Sequence, residues 1–297
     1  MITSFLNALG EKLAERWATT LALPGLLFVM LAAGGHSLGQ RHALDWSLLA
    51  VRGSGLAARW DKHPALAILT VAAVLTVATG VGLAARAAGA AVERCWLITG
   101  PKWLVSPIVA RRLRSWQEAQ LRLDAATQAS CESAAEYRRR RGRLAAERND
   151  IALAPPSRAT WIGDRFRVVG MRVDGEYGID LTWAWPRLWL ILPAGVRTEI
   201  ASAGEAFTAA AARVGWGVLY LALGAVIWWP AAVIALVLGF GGWWAGRAAA
   251  EPLTSLIESA ADLYLADMAK HLHVPAPDGQ LTPADGRVIS ERLRKGT

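Results

Sequence analysis

The sequence predicts an all-α integral membrane protein with four transmembrane helices and a cytoplasmic helical module. Three observations carry that prediction. No charged residue lies between Arg213 and Arg247. Hydrophobic residues make up 54% of the 297, above the usual balance of a soluble domain. Fifteen Trp stand against five Phe and four Tyr, a ratio expected where an apolar ring and a polar N–H each meet their preferred medium.

Residues 1–16 alternate Phe5, Leu6, Leu9 and Leu13 with Glu11, Lys12, Glu15 and Arg16, the spacing of an interfacial amphipathic helix. The following run is too long for the core of a cleavable leader, so the first segment is expected to remain as an anchor. Residues 17–85 then hold transmembrane helices one and two around an external loop, 36–63. From Trp17 through Gly39 the sole ionisable side chain is His36, and Pro24-Gly25 predicts a kink. Pro64 opens the second span, which stays uncharged to Ala85.

Residues 86–208 read as a cytoplasmic helical module. Within it, Arg111 to Ile151 predicts one long helix in which Trp116, Leu123, Ser130, Tyr137, Leu144 and Ile151 recur every seven residues. The companion column, Leu113, Gln120, Thr127, Ala134, Arg141 and Arg148, loses its apolar character, so one stripe packing on a neighbour is expected rather than a full coiled-coil seam. Pro155-Pro156 closes that helix. Ile162, Phe166, Val169 and Val173 share a helical face, and residues 181–192, with Trp183, Trp185 and Trp189, form a segment too short to span and fit for interfacial or buried packing.

The uncharged stretch would be roughly 50 Å long as one helix, against a hydrocarbon core of about 30 Å. Broken at Trp228-Trp229-Pro230, it makes a transmembrane hairpin over 209–250. Residues 251–297 follow as a cytoplasmic amphipathic helix and a mobile tail. The hairpin turn has no basic residue and both flanks do, which places both flanks and both termini inside; the four Lys and Arg of the outer loop, Arg41, Arg52, Arg59 and Lys62, weigh against that orientation. Cys95 and Cys131 then sit in a reducing compartment, where no structural disulfide is expected.

Trp161-Ile162-Gly163-Asp164, Tyr177-Gly178-Ile179-Asp180, Trp185-Pro186-Arg187-Leu188-Trp189 and Leu192-Pro193 resemble the core of a bacterial, largely actinobacterial, family of multi-pass membrane proteins to which no activity is assigned. The likeness covers roughly Pro155 to Leu272 and departs at Asp164, where that pattern often has Asn. It implies the architecture and a bacterial inner-membrane address, and transfers no functional residue.

Gly35-His36-Ser37-Leu38-Gly39 matches the nucleophile elbow of α/β-hydrolases, but here it ends an apolar helix, without the parallel sheet that exposes such a serine. The five His show no ligand spacing, so neither metal nor cofactor is expected. Arg138 to Arg141 with Arg143 form the densest charge run. A solvated helix face, lipid headgroups or a partner account for it better than nucleic acid, since only Tyr137 is interleaved as a stacking aromatic. The spans lack central charges, which disfavours an ion-coupled carrier. The expected function is a non-enzymatic, membrane-anchored interaction module; the alternative is a pore-forming or membrane-disrupting effector of bacterial defence. Beyond the lipid bilayer, its partner is a second protein or another copy, held through Trp116, Leu123, Tyr137, Leu144, Trp183, Trp185 and Trp189. Trp17, Trp60, Trp216, Trp228, Trp229, Trp243 and Trp244 are expected at the lipid interface.

Overall fold

The computed structural model describes residues 22–45, 47, 64–97, 102–127, 133–274 and 281–294. The expected interfacial helix 1–16, most of the loop 36–63, and Trp17, Trp60, Ser130 and Cys131 lie outside the described residues. Every regular element among the described residues is helical: α1 (Leu23–Leu38), α2 (Pro64–Leu97), α3 (Lys102–Asp124), α4 (Ala134–Ile151), α5 (Trp161–Tyr177), α6 (Leu181–Ile191), α7 (Ala194–Val226), α8 (Pro230–His271) and α9 (Pro283–Arg294).

Three of these, α2, α7 and α8, are long and apolar enough to cross a bilayer, not the four expected. The missing one is α1. Its 16 described residues reach about 24 Å at 1.5 Å per residue, short of a hydrocarbon core of about 30 Å. Pro24 lies in its first turn, where a proline's missing N–H costs no helical bond, so it makes no kink in the described helix. The predicted break at Trp228-Trp229-Pro230 is present, since α7 ends at Val226 and α8 starts at Pro230. Both helices run past the predicted limits, α7 from Ala194 and α8 to His271. Charge marks where a chain leaves hydrocarbon, not where a helix ends: the Ala-rich run after Pro193 favours helix, and α8 continues even through Pro252.

The described residues divide into two compact units, one from 1–92 and 209–244, the other from 93–208 and 245–297. In the first unit the helices meet through small residues. A side chain at Gly25 would strike the Ala78 carbonyl, and one at Gly215 would lie 2.7 Å from the Ala85 carbonyl. Such close approach is how helices associate where burial from water supplies no drive. The α7–α8 turn is stitched by Gln40, whose Nε2 donates to the Gly224 carbonyl (3.3 Å) and whose Oε1 accepts the Trp229 N–H (2.9 Å). Beneath it, Trp228, Tyr220, Leu223, Ala231, Ala235 and Ala43 form a buried cluster. The outer wall of α2 is apolar, with Leu66, Ile68, Leu69, Val71, Val77 and Leu83 all more than half exposed.

The second unit differs from expectation in two places. The single long helix over 111–151 is two helices, α3 and α4. Bonds from Trp116 Nε1 to Ala152 O (2.9 Å), Arg148 to Gln120 (2.9 Å) and Tyr137 Oη to Ala126 O (3.1 Å) pair positions in opposite order, the signature of an antiparallel hairpin. The tail is not wholly loose, because α9 is docked. Gly286, Ile289, Ser290 and Leu293 are buried. The Ser290 hydroxyl donates to Gly178 O (3.3 Å) and accepts the Asp180 N–H (3.0 Å). Around Ile162, Val173, Ile179, Leu188, Leu265, Met268 and Ile289, all below 2% exposed, this unit builds its core.

Candidate functional site

The loop 152–160 and helix α5 are anchored by one carboxylate. Asp164 is 1% exposed and its Oδ2 takes Arg112 Nη1 at 2.6 Å. Its Oδ1 accepts the backbone N–H groups of Ser157 (2.9 Å) and Arg158 (3.0 Å) and Arg167 Nε (3.3 Å). Arg112 extends the clamp to three carbonyls, Arg158 (2.5 Å), Thr160 (3.1 Å) and Ile151 (2.8 Å). A buried carboxylate is tolerable only with this degree of satisfaction. No buried side-chain nitrogen or oxygen among the described residues lacks a hydrogen-bond partner.

From that base α5 starts at Thr160, whose hydroxyl accepts the Gly163 N–H (2.9 Å), and ends at Gly178 in the left-handed conformation, φ 65°, where glycine carries no Cβ penalty. Asp180 then caps α6 by accepting the Thr182 N–H at 3.0 Å. A ladder seven residues in pitch joins α5 to α8: Arg165 to Glu251 (3.4 Å) and Arg172 to Glu258 (3.1 Å). Beyond it Tyr177 Oη donates to Asp262 at 3.1 Å. Burial, and then the Asp262 charge and hydrogen bond, push the Tyr177 phenol up to about 12. It is a neutral donor at physiological pH.

Beside α6 lies a trough. One part, about 320 Å³, is walled by Phe166, Val169, Trp185, Thr254 and Ile257. A second part, about 900 Å³, carries Met171, Asp174, Arg158, Arg167 and Arg294. Both share Phe166, Gly170, Leu181 and Thr182. Gly170 sets the depth, since a Cβ there would meet nothing within 4 Å. Asp164 and Asp180 hold Arg167 and Arg294 on the rim. The smaller part has the size and apolar lining of a pocket for large side chains or a small apolar ligand. No group of three or more His, Cys, Asp or Glu among the described residues is placed to hold a metal.

The expected contact residues separate into two sets. Trp183 is 38% exposed, while Trp185 and Trp189 are half-buried with ring centroids 5.9 Å apart, and Leu190 beyond them is 76% exposed. These three tryptophans share one short helix, and Trp185 lines the trough. Trp116, Leu123, Tyr137 and Leu144 are instead spread along the α3–α4 hairpin. Leu123 is buried, the other three half-buried, and both polar rings donate to hairpin carbonyls. Of the expected interface residues, Trp228 is a core residue, 9% exposed, with Nε1 on Ala43 O at 2.9 Å. Trp216 and Trp243 are half-buried; Trp229 and Trp244 are 47% and 72% exposed.

Asp164, Arg112 and Ser290 were not expected to matter. Asp164 gave no signal from the apolar face, since it stands about 200° around the helix from Ile162. Arg112 gave none either, being one arginine among several in α3. For α9, Thr282-Pro283-Ala284-Asp285 is a capping box: Asp285 N–H donates to Thr282 Oγ1 (3.3 Å), and Thr282 N–H returns to Asp285 Oδ2 (3.2 Å).

Three helices long and apolar enough to cross a bilayer, joined to a helical unit that carries a charge ladder and a trough, are consistent with a helical membrane protein. No protein-family model matches the chain, and no curated protein or solved structure matches it.

Proposed function

We propose that this chain is a non-enzymatic interaction module anchored in a bacterial inner membrane, and that α6 with its trough takes a protein partner. One observation carries the reading. Outside the three candidate spans, a helix of 11 residues exposes Trp183 and Leu190 and lines an open apolar cleft with Trp185. Exposed and pocket-lining tryptophans on one helix are the composition of a binding hot spot. The α3–α4 stripe leaves this role, because its residues are buried or half-buried along the hairpin and its two polar rings are bonded to hairpin carbonyls. The bacterial address rests on the sequence resemblance. A fourth crossing built around α1, and cytoplasmic roots for the α7–α8 hairpin, belong to the same proposal.

Gly170→Leu tests it. The new side chain enters open space and improves helix propensity by roughly 1 kcal/mol, so a loss of binding would not come from misfolding. Cross-linking in native membranes should capture a partner with the wild type and lose it with Gly170→Leu and with Trp183→Ala. Identical captured sets for all three chains would refute the reading. Reporter fusions near residues 205 and 255 should fall in one compartment.

A further inference from the structure

The trough beside α6 changes sign along its length. One face of α5 lines it through Gly163, Phe166, Arg167, Gly170, Met171 and Asp174, a helical stripe that runs about 16 Å at 1.5 Å per residue. Near the start of α5 the wall holds Arg158 and Arg167, and a Cβ on Gly163 would lie 3.2 Å from that of Arg158. Arg112 and Asp164 stand behind them, so this end has three cations to one carboxylate. Around the end of α5 the wall holds Asp174, Asp180 and Arg294, with Arg294 on Asp180 at 3.1 Å. Here two carboxylates face one cation.

Asp174 is exposed, and its carboxylate makes no hydrogen bond or ion pair among the described residues. The last turn of α5 has no basic residue, so Asp174 adds to the partial negative charge of that helix end and α5 itself gains nothing from it. Between the charged ends lies the apolar part, about 320 Å³, where Phe166, Val169, Trp185 and Ile257 leave room for one large side chain. The walls are helices, whose backbone groups are bonded within each helix and offer no ladder to an extended strand. A helical occupant brings its own backbone hydrogen bonds.

We propose that the trough takes an amphipathic helical segment of a partner protein, with an acidic residue about one turn to one side of a bulky apolar anchor and a basic residue about one turn to the other. The anchor enters beside Trp185, the acid meets Arg158 and Arg167, and the base meets Asp174. This inference rests on the reading that the trough is a protein-docking site, and adds the chemistry of what docks.

The test uses the full chain in phosphatidylcholine nanodiscs and three labelled helical peptides of roughly fifteen residues, each with a central Trp, flanked by Glu and Lys, by two Glu or by two Lys. Fluorescence anisotropy reads their affinities, with Gly170→Leu discs as the blank. The mixed peptide should bind at least about fivefold tighter than either other, the size of one exposed pair turning from attraction to repulsion, and about 0.5 M salt should bring the three together. Asp174→Lys, which places a favourable charge at the end of α5, should switch the preference to the peptide with two Glu. Equal affinities that Gly170→Leu still abolishes would overturn the charge match and leave the docking reading in place. A preference that Asp174→Lys does not move, or no binding of any peptide, would overturn the inference as well, while the partners cross-linked in native membranes decide the docking reading separately. Oleate that binds more tightly than every peptide, and is lost with Gly170→Leu, would assign the trough to a lipid chain and overturn both.

Discussion

Asp164→Ala should be the most damaging single substitution in the second unit, and its size follows from the bonds this carboxylate makes. The carboxylate holds Arg112 at 2.6 Å and Arg167 at 3.3 Å and accepts two backbone N–H groups. Removing it leaves the Arg112 side chain, only 17% exposed, without its counter-charge, a loss of about 3–5 kcal/mol for a buried pair. The two orphaned N–H groups would cost about 1–3 kcal/mol each if no water reached them. Loop 152–160 lies near the surface and relaxes, so the sum is not additive and we expect about 4 kcal/mol. At roughly 3 °C per kcal/mol for a body of this size, the Tm of the detergent-solubilised chain should fall by about 12 °C. Asp164→Asn keeps an acceptor for the backbone but turns an amide toward Arg112, and should lose about half as much. Differential scanning fluorimetry on the three proteins reads both values. A fall under about 3 °C for Asp164→Ala would show that Arg112 and the loop are held by something other than this carboxylate.

Other substitutions test the remaining joints. Gly224→Val puts a side chain against Ala232, whose Cβ would lie 2.8 Å from the new atom; at an overpacking cost of about 1–3 kcal/mol, the α7–α8 turn should become cleavable in limited proteolysis. Gly178→Ala meets both a left-handed φ of 65° and the Pro283 carbonyl. With about 1–2 kcal/mol from the backbone alone, hydrogen exchange across 283–294 should accelerate at least about tenfold. Acid should also loosen α9. Burial pushes the Asp180 carboxyl up, but hydrogen bonds from Thr182 and Arg294 outweigh it and hold the group below its usual value. A depressed value means the contribution is complete above about pH 4, the unfolded carboxylate range, and is lost as pH falls through the folded value. Exchange of α9 should therefore rise between about pH 4 and 3 in the wild type, and Asp180→Asn should flatten that step.

The hairpin turn was legible because Pro230 cannot continue a helix and the preceding stretch exceeds one crossing. The far ends of α7 and α8 were not, since Arg213 and Arg247 report a change of solvent and not a change of backbone. The Arg247 guanidinium in fact lies 4.6 Å from the Trp161 ring centroid. Periodicity drew Trp116 to Ile151 as one stripe of one helix, whereas the described residues carry it on two, and a period carries no address. Nothing in the spacing tells a stripe that meets its own second half from one that meets another chain. Trp228 was misplaced for a similar reason: a tryptophan N–H is satisfied equally by an interface or by the Ala43 carbonyl, and only the three-dimensional path of residues 39–45 decides. The trough was partly legible, because Trp185 lines it, while its floor at Gly170 left no mark.

The α3–α4 hairpin has a consequence for association. Trp116 and Leu123 lie on one arm, Tyr137, Leu144 and Ile151 on the other, and each arm is the lid of its sibling. An arm swung open would display a surface already shaped for the matching arm of a twin molecule, so hairpin closure and strand exchange between molecules compete for the same rings and methyls.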